Sequence, residues 1–284
     1  MNSIKSNNEP LVSIVIPTYK RLDFLKITVD AIRLQNYENL EIFVVADGHQ
    51  PEVEEHILSL RDVRVRYLAC DFAGRPAVAR NLGINHSNGE FIALCDDDDV
   101  WLPEKLSTQL DFMQQHGIDF SFTAAGVIDG NGKKFDQPSV GYREKISLNW
   151  FLRSLGNNIY PSTVMIRRAN LAHSGLFDEA PDLRGVEDYE LFARVLTKTS
   201  GFGIEKELVL YRGHSGSIQE RNVLPWLRKQ LKLQSVLSQT KEFSRWALAF
   251  RRMRVYYWAL RVALNSLFSS LILKRSVVRR TQSS

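Results

Sequence analysis

Between Val12 and Gln115, short apolar runs of strand length alternate four times with segments of helical periodicity, a pattern that few folds accept. Val12–Ile16, Glu41–Ala46, Val63–Leu68 and Glu90–Cys95 read as strands. Asp23–Gln35, Pro51–Leu60, Pro76–His86 and Pro103–Gln115 read as helices, the last with its proline at a first-turn position. The alternation predicts an α/β fold, a mostly parallel, Rossmann-like sheet flanked by helices. Gly126–Gly141, with Asp129-Gly130-Asn131-Gly132 inside it, reads as a hairpin turn and loop. Beyond it, Ser162–Arg167 and Phe202–Tyr211 are further strand candidates, with a helix over Val186–Lys198 between them.

At 284 residues, 44% of them hydrophobic, the chain suffices for one large α/β domain with an appendage. The formal charge of +5 is unevenly spread. From Lys241 onward there are ten Lys or Arg against the single acid Glu242, which leaves 27 basic and 31 acidic residues in the first 240. The basic character therefore belongs to the tail, and net charge gives no ground for nucleic-acid binding. Met1–Pro10 is polar and lacks an apolar h-region, so a cytoplasmic location is expected. Cys70 and Cys95 form no Cys-x-x-Cys pattern and read as two apolar thiols, with no disulfide framework.

In an open parallel sheet, ligands bind beyond the carboxyl ends of the strands. Those positions carry Pro17-Thr18-Tyr19 after the first strand, Asp47-Gly48 after the second and Asp96-Asp97-Asp98-Asp99 after the fourth. Adjacent carboxylates repel unless a cation or strong donors neutralise them, and hard oxygen ligands suit Mg2+ or Mn2+. A metal held by one or two carboxylates completes its shell with substrate phosphates and neutralises charge on a departing diphosphate. A solvated acidic turn capping the helix near Pro103 would leave the same trace. Further on, Asp188, Leu191, Phe192 and Val195 fall at i, i+3, i+4 and i+7, so Asp188 shares the apolar stripe and is expected to point inward. A general base for an acceptor hydroxyl would stand there, as would a carboxylate complementing the helix dipole. Glu187 suits either role. Arg75 and Arg80, around the start of the third helix, carry the fork of donors that holds phosphate or a nucleotide carbonyl.

Taken in order, Val12-Ser-Ile-Val-Ile-Pro-Thr-Tyr19, Glu41-Ile-Phe-Val-Val-Ala-Asp-Gly48, Ala79-Arg-Asn-Leu-Gly83, the stretch from Phe91 through the four aspartates to Trp101-Leu-Pro-Glu-Lys-Leu106, and Glu187-Asp188 resemble glycosyltransferase family 2 over residues 11–217. The resemblance implies a GT-A catalytic domain over residues 1–217, with a nucleotide-binding half at 11–125 and an acceptor-binding half at 126–217. A helical, basic, amphipathic extension over 218–284 follows. It implies an inverting displacement with a nucleoside-diphosphate sugar, UDP-linked, as donor, a hydroxyl of a glycan or lipid-linked glycan as acceptor, and Mn2+ or Mg2+ as cofactor. Bacterial surface polysaccharide or glycolipid synthesis is the implied setting.

Carried over by position, Pro17, Thr18, Tyr19 and Asp47 would surround the base and ribose, with Arg80 near the nucleotide. Four consecutive aspartates make the Asp-x-Asp register degenerate. The distance to Trp101-Leu-Pro103 favours Asp96 and Asp98, with Asp98 the metal ligand and Asp97 beside them in the donor site. Asp188 would be the catalytic base and Glu187 its neighbour at the donor. Tyr211-Arg-Gly-His-Ser-Gly-Ser217 resembles the segment that closes over the diphosphate, which makes Arg212 and His214 candidates for phosphate or metal contact. Two departures stand out. Ala46 occupies the first place of an aspartate pair, and the Gln-x-x-Arg-Trp signature of processive synthases is absent, so a non-processive enzyme is expected.

In the tail, Met253, Tyr257, Leu260, Leu264, Leu267 and Leu271 recur at spacings of 4, 3, 4, 3 and 4, with Arg254 and Arg261 off that face. Such a helix either lies on an anionic membrane, placing the enzyme peripherally on the inner face of the cell membrane, or packs on its own domain or a second subunit of a homo-oligomer. Two rival functions use the same residues. One is a catalytically silent nucleotide-sugar-binding scaffold, which gives no need for an inward base. The other is a nucleotidyltransferase, which would favour a glycine-rich phosphate loop where Pro17-Thr-Tyr-Lys-Arg21 has no glycine.

Overall fold

The computed structural model describes residues 9–137, 139–154, 159–213 and 223–262. They divide into two compact units, Met1–Phe151 with Gly156–Ser215, and Leu152–Leu155 with Gly216–Ser284.

The first unit opens with β1 (Val12–Thr18), α1 (Leu22–Arg33), β2 (Leu40–Asp47), α2 (Pro51–Ser59), β3 (Val65–Cys70), α3 (Pro76–His86) and β4 (Phe91–Leu94). β1 pairs in parallel with both β2 and β4, and β2 in parallel with β3. The two faces of β1 are filled differently. Val12, Ile14 and Ile16 join a core with Leu25, Val29 and Ile32 of α1, whereas Val15 meets α3 on the opposite face. Gly83 allows that approach, since a Cβ there would sit 2.5 Å from Val15 Cγ1 and 3.1 Å from Val45 Cγ2.

The chain continues through β5 (Val100–Trp101), α4 (Lys105–His116), β6 (Phe120–Ile128), β7 (Lys145–Ile146), α5 (Leu148–Arg153), β8 (Met165–Arg167), α6 (Arg168–Ser174), α7 (Glu187–Val195) and β9 (Gly201–Arg212). The sheet runs β3-β2-β1-β4-β8-β6-β9-β5, with β7 also on β9. β8 is antiparallel to β4 and β6, β6 and β9 are parallel, and β5 and β7 are antiparallel to β9. The predicted α/β class with a mostly parallel sheet and flanking helices is thus the observed one.

Three local expectations are corrected. Pro103 precedes α4 because residues 100–102 are drawn onto β9, where Leu102 N donates to Leu208 O at 2.9 Å. Gly126 lies within β6, and the turn itself is confined to Asp129–Lys133, where Asp129 Oδ1 accepts the backbone N–H groups of Asn131 and Lys133, both at 2.9 Å. Ser162 and Thr163 form a 3-10 turn, and the strand begins only at Met165. Both cysteines are free, Cys95 fully buried and Cys70 partly so.

In the second unit, α8 (Val223–Gln239) is followed by a helix from 245 to the last described residue, 262. Contacts between Trp226 and Trp258, and from Arg251 to Gln230 and Gln234, show the two running antiparallel. Ala247, Leu248, Arg251, Val255 and Ala259 form the buried face of the second helix, and Leu233 and Leu237 that of α8. No helix among the described residues is long and apolar enough to cross a membrane.

Candidate functional site

The ends of β1, β2 and β4 put the expected residues on one sheet edge, and the structure resolves the run of four aspartates by giving alternate members different partners. Asp97 accepts the Thr18 hydroxyl at 2.8 Å, and Asp99 accepts Ser162 Oγ at 2.5 Å and the Arg212 N–H at 2.8 Å. These two carboxylates are turned into the protein and held by fixed donors. Burial, aided by Asp98, pushes the Asp97 carboxyl up to about 6. Burial together with Asp96 and Asp98 pushes Asp99 well above the usual range. Asp96 and Asp98 meet guanidinium groups at closer range. Arg80 Nη2 lies 2.7 Å from Asp96, and Arg21 Nη1 2.5 Å from Asp98 and 3.4 Å from Asp97.

Ser162 ties the run together. Its Oγ accepts the Asp96 N–H at 2.9 Å while donating to Asp99, and its carbonyl accepts Trp101 Nε1 at 2.9 Å. Thr28 of α1 fastens the other side, its hydroxyl 2.8 Å from Asp99 O and 3.1 Å from Asp97 O. Beneath the Trp101 ring lies Lys105, fully buried, its Nζ 3.7 Å from the ring centroid and without a hydrogen-bond partner among the described residues. Burial drives its amine down to about 7. The neighbouring Cys95 thiol is pushed well up by its own burial and stays protonated.

Arg80 spans the two halves of the site. It is buried, with Nη1 3.1 Å from Glu187 at the start of α7 and the guanidinium 5.3 Å from the Phe177 ring. Burial favours loss of its proton, but Asp96 and Glu187 outweigh that and hold it charged. Glu187 also accepts the Gly185 N–H. One guanidinium thus joins the acidic run to the first turn of α7, which carries Glu187, Asp188 and Glu190. Asp188 is half-buried, and its Oδ1 accepts the Tyr189 N–H at 2.7 Å, while Leu191, Phe192 and Val195 fill the core below, as the stripe predicts. Asn81, next to Arg80, holds the loop before α7: it donates to Phe177 O and Glu179 and accepts the Phe177 N–H, all at 2.8–2.9 Å.

At the β2 end, Asp47 spends both oxygens on a loop, accepting the N–H groups of Ala73 at 2.7 Å and Arg75 at 3.1 Å. The Arg75 side chain is itself turned to the carbonyls of Ala73 and Glu179. Pro17 is half-buried at the end of β1, and exposed Tyr19 faces exposed Phe72 with ring centroids 5.2 Å apart. Gly48, at φ +82°, turns the chain so that Phe72 can close on it. Gln50 braces the β1 end, accepting the Lys20 N–H and donating to Thr18 O.

Arg212 lies beside the acidic run. It is buried, with Nε bonded to Asp98 O at 2.8 Å and Nη1 to Asp129 O and Gly130 O at 2.9 and 3.2 Å, so its described bonds clamp backbone carbonyls. His214 lies outside the described residues. Ser162, Arg21, Thr28, Asn81 and Phe72 were not singled out from the sequence; each is a common residue type whose importance comes from a partner far along the chain.

A divalent cation fits the donor chemistry of Asp96 and Asp98, which already gather cationic groups at the edge, and the half-exposed Arg21 could yield Asp98 to it. Among the described residues no three His, Cys, Asp or Glu side chains gather as a metal shell.

Residues 13–173 match the family described as Glycosyl transferase family 2. An uncharacterized glycosyltransferase of Rickettsia felis is 31% identical over 207 residues, 72% of this chain and 33% of its own. A UDP-Glc:alpha-D-GlcNAc-diphosphoundecaprenol beta-1,3-glucosyltransferase of Escherichia coli is 30% identical over 148 residues, 51% of this chain and 56% of its own. The chain spans about a third of the length of the first curated relatives it matches. Among solved structures, S. aureus TarS 1-349 in complex with UDP-GlcNAc aligns with a TM-score of 0.68 at 16% identity, over 87% of this chain and 72% of that one. A mannosyltransferase from Pyrobaculum calidifontis in complex with GDP-Man and Mn2+ aligns at 0.64 and 14%, over 94% and 76%. These likenesses make the fold GT-A, and with the family match covering more than half of its length, the chain belongs to glycosyl transferase family 2.

Proposed function

We propose that this chain moves one sugar at a time from a nucleoside-diphosphate sugar, UDP-linked, to a hydroxyl of a glycan or lipid-linked glycan, with inversion at the anomeric carbon. The observation that carries the reading is the Arg80 bridge, which brings the carboxylates at the end of β4 within one guanidinium of the first turn of α7. In this reading donor and acceptor chemistry meet there. The names of the Escherichia coli relative and the TarS complex support a UDP-sugar and a lipid-linked acceptor.

In this mechanism Asp188 takes the proton from the acceptor hydroxyl as its oxygen attacks the anomeric carbon and the carbon–diphosphate bond breaks on the opposite side. The N-terminus of α7 favours negative charge at that place. Arg80 fixes the spacing between Asp188 and the donor site. Tyr19 and Phe72 offer an aromatic surface for the base, and Asp47 shapes the floor beside it through the loop at 73–75. A Mn2+ or Mg2+ held by Asp98 with Asp96 would neutralise charge gathering on the departing diphosphate.

The test is nucleoside diphosphate release from a panel of sugar nucleotides, with Mn2+, Mg2+ or EDTA and membrane lipid extract as acceptor. Asp98→Ala should lose metal-dependent turnover. Asp188→Asn should bind donor normally while transfer falls by about 10²–10⁴-fold. A fully active Asp188→Asn chain would remove the assigned base, and failure of every donor despite nucleotide binding would favour a silent binding module.

A further inference from the structure

The helix over 245–262 is apolar on two faces. One is buried and meets α8 through Trp258, Leu248 and Arg251. The other carries Trp246, Phe250, Met253, Tyr257 and Leu260 at spacings of 4, 3, 4 and 3, a single stripe, and all five are exposed, Trp246 at 85% and Tyr257 at 66% of their surface. On a helical projection Arg254 and Arg261 border this stripe on one side and Arg245 and Arg252 on the other, all four exposed. The helix contains no acid. Arg251 points inward and donates to Gln230 and Gln234, and Arg254 donates to Arg153 O at 2.7 Å, which leaves Arg245, Arg252 and Arg261 as the flanking charges for a lipid surface.

From this placement we propose that the stripe is a membrane-docking surface that lies in the interface of an anionic bilayer. Aromatic and long apolar side chains would enter the boundary between headgroups and acyl chains, with the flanking arginines reaching up to lipid phosphates. Charge separates this occupant from a second copy of the chain. Two copies packed stripe to stripe would bring their arginines together without a carboxylate on either helix to pair them, whereas anionic headgroups supply the missing charge. The contribution expected from each arginine is about fivefold in partitioning. The proposal stands on the second unit alone and is independent of the transferase reading.

The experiment is co-sedimentation of the full chain with vesicles of phosphatidylcholine, alone or mixed with phosphatidylglycerol. The wild type should favour the mixed vesicles. Trp246→Ser with Tyr257→Ser should weaken that binding by roughly tenfold or more, and Trp246→Phe should retain it. Arg245→Gln, Arg252→Gln and Arg261→Gln together should remove the preference for anionic lipid. Because every altered side chain is exposed, diphosphate release with a water-soluble acceptor should be unchanged in these variants. Equal binding to both vesicle types, or full binding by the Trp246→Ser, Tyr257→Ser chain, would overturn the proposal. So would a stripe-dependent dimer that ignores vesicles. Asp188→Asn should still bind vesicles, so loss of transfer and loss of docking are separable.

Discussion

Replacing Lys105 by methionine should make this protein more stable, and increasingly so as the pH falls. The ammonium end is fully buried, has no hydrogen-bond partner among the described residues, and lies against the face of Trp101. An exposed lysine titrates at 10.5, whereas burial brings Lys105 down to about 7. Below about 7 both the folded and unfolded chains hold the proton, and the fold bears the whole cost of burying it. A pKa difference of about 3.5 corresponds to about 5 kcal/mol. Between about 7 and 10.5 the folded chain has released the proton and the unfolded chain has not, so this cost shrinks as pH rises, and above 10.5 it is gone. Methionine keeps most of the side-chain length and has no charge to desolvate, so Lys105→Met should gain up to about 5 kcal/mol at pH 6 and progressively less toward pH 10. Urea unfolding of both proteins across that range, in EDTA, measures it. A variant less stable than wild type at pH 6, or a gain that grows with pH, would refute the argument and mean that the ammonium is stabilised by more than the ring.

Ser162→Ala leaves the Asp96 N–H and an oxygen of the buried Asp99 without their partner and should cost about 2–3 kcal/mol in urea unfolding. Arg21→Ala removes the cation resting on Asp98, and binding of Mn2+ without donor, followed by calorimetry, should tighten by up to about fivefold. Unchanged or weaker binding would place Asp98 outside the metal shell. Gly83→Ala forces a methyl group to within 2.5 Å of Val15 Cγ1, and the separation of α3 from the sheet should cost about 1–3 kcal/mol, read by thermal unfolding.

The parallel core was legible in the sequence because buried strands leave unbroken apolar runs such as Ile14-Val-Ile16 and Phe43-Val-Val-Ala46. β6 was not, because Phe120-Ser-Phe-Thr-Ala-Ala interleaves hydroxyl and small residues, and only the structure shows Ser121 buried and accepting Gln109 Nε2 at 2.9 Å. β5 is two residues long and exists through pairing with β9, more than a hundred residues later in the chain. In the site, the carboxylates announced themselves by type and by position at strand ends. Their division into inward Asp97 and Asp99 and cation-facing Asp96 and Asp98 did not, because Ser162, Arg21 and Arg212 reach them from other parts of the chain. The bonds of Arg212 to the carbonyls of Asp98, Asp129 and Gly130 were not legible either, since nothing local to it says which distant backbone oxygens a guanidinium will meet.

The two cysteines give the molecule a built-in pair of clocks. Cys70 sits partly accessible at the end of β3, its sulfur 3.9 Å from Asp47, so a thiol reagent attached there would report on the edge where a nucleotide would enter. Cys95, sealed at the end of β4 with its thiol held protonated, becomes reactive only when the sheet opens. Labelling of Cys70 would follow events at the rim, labelling of Cys95 would time global opening, and the natural sequence needs no substitution to provide either.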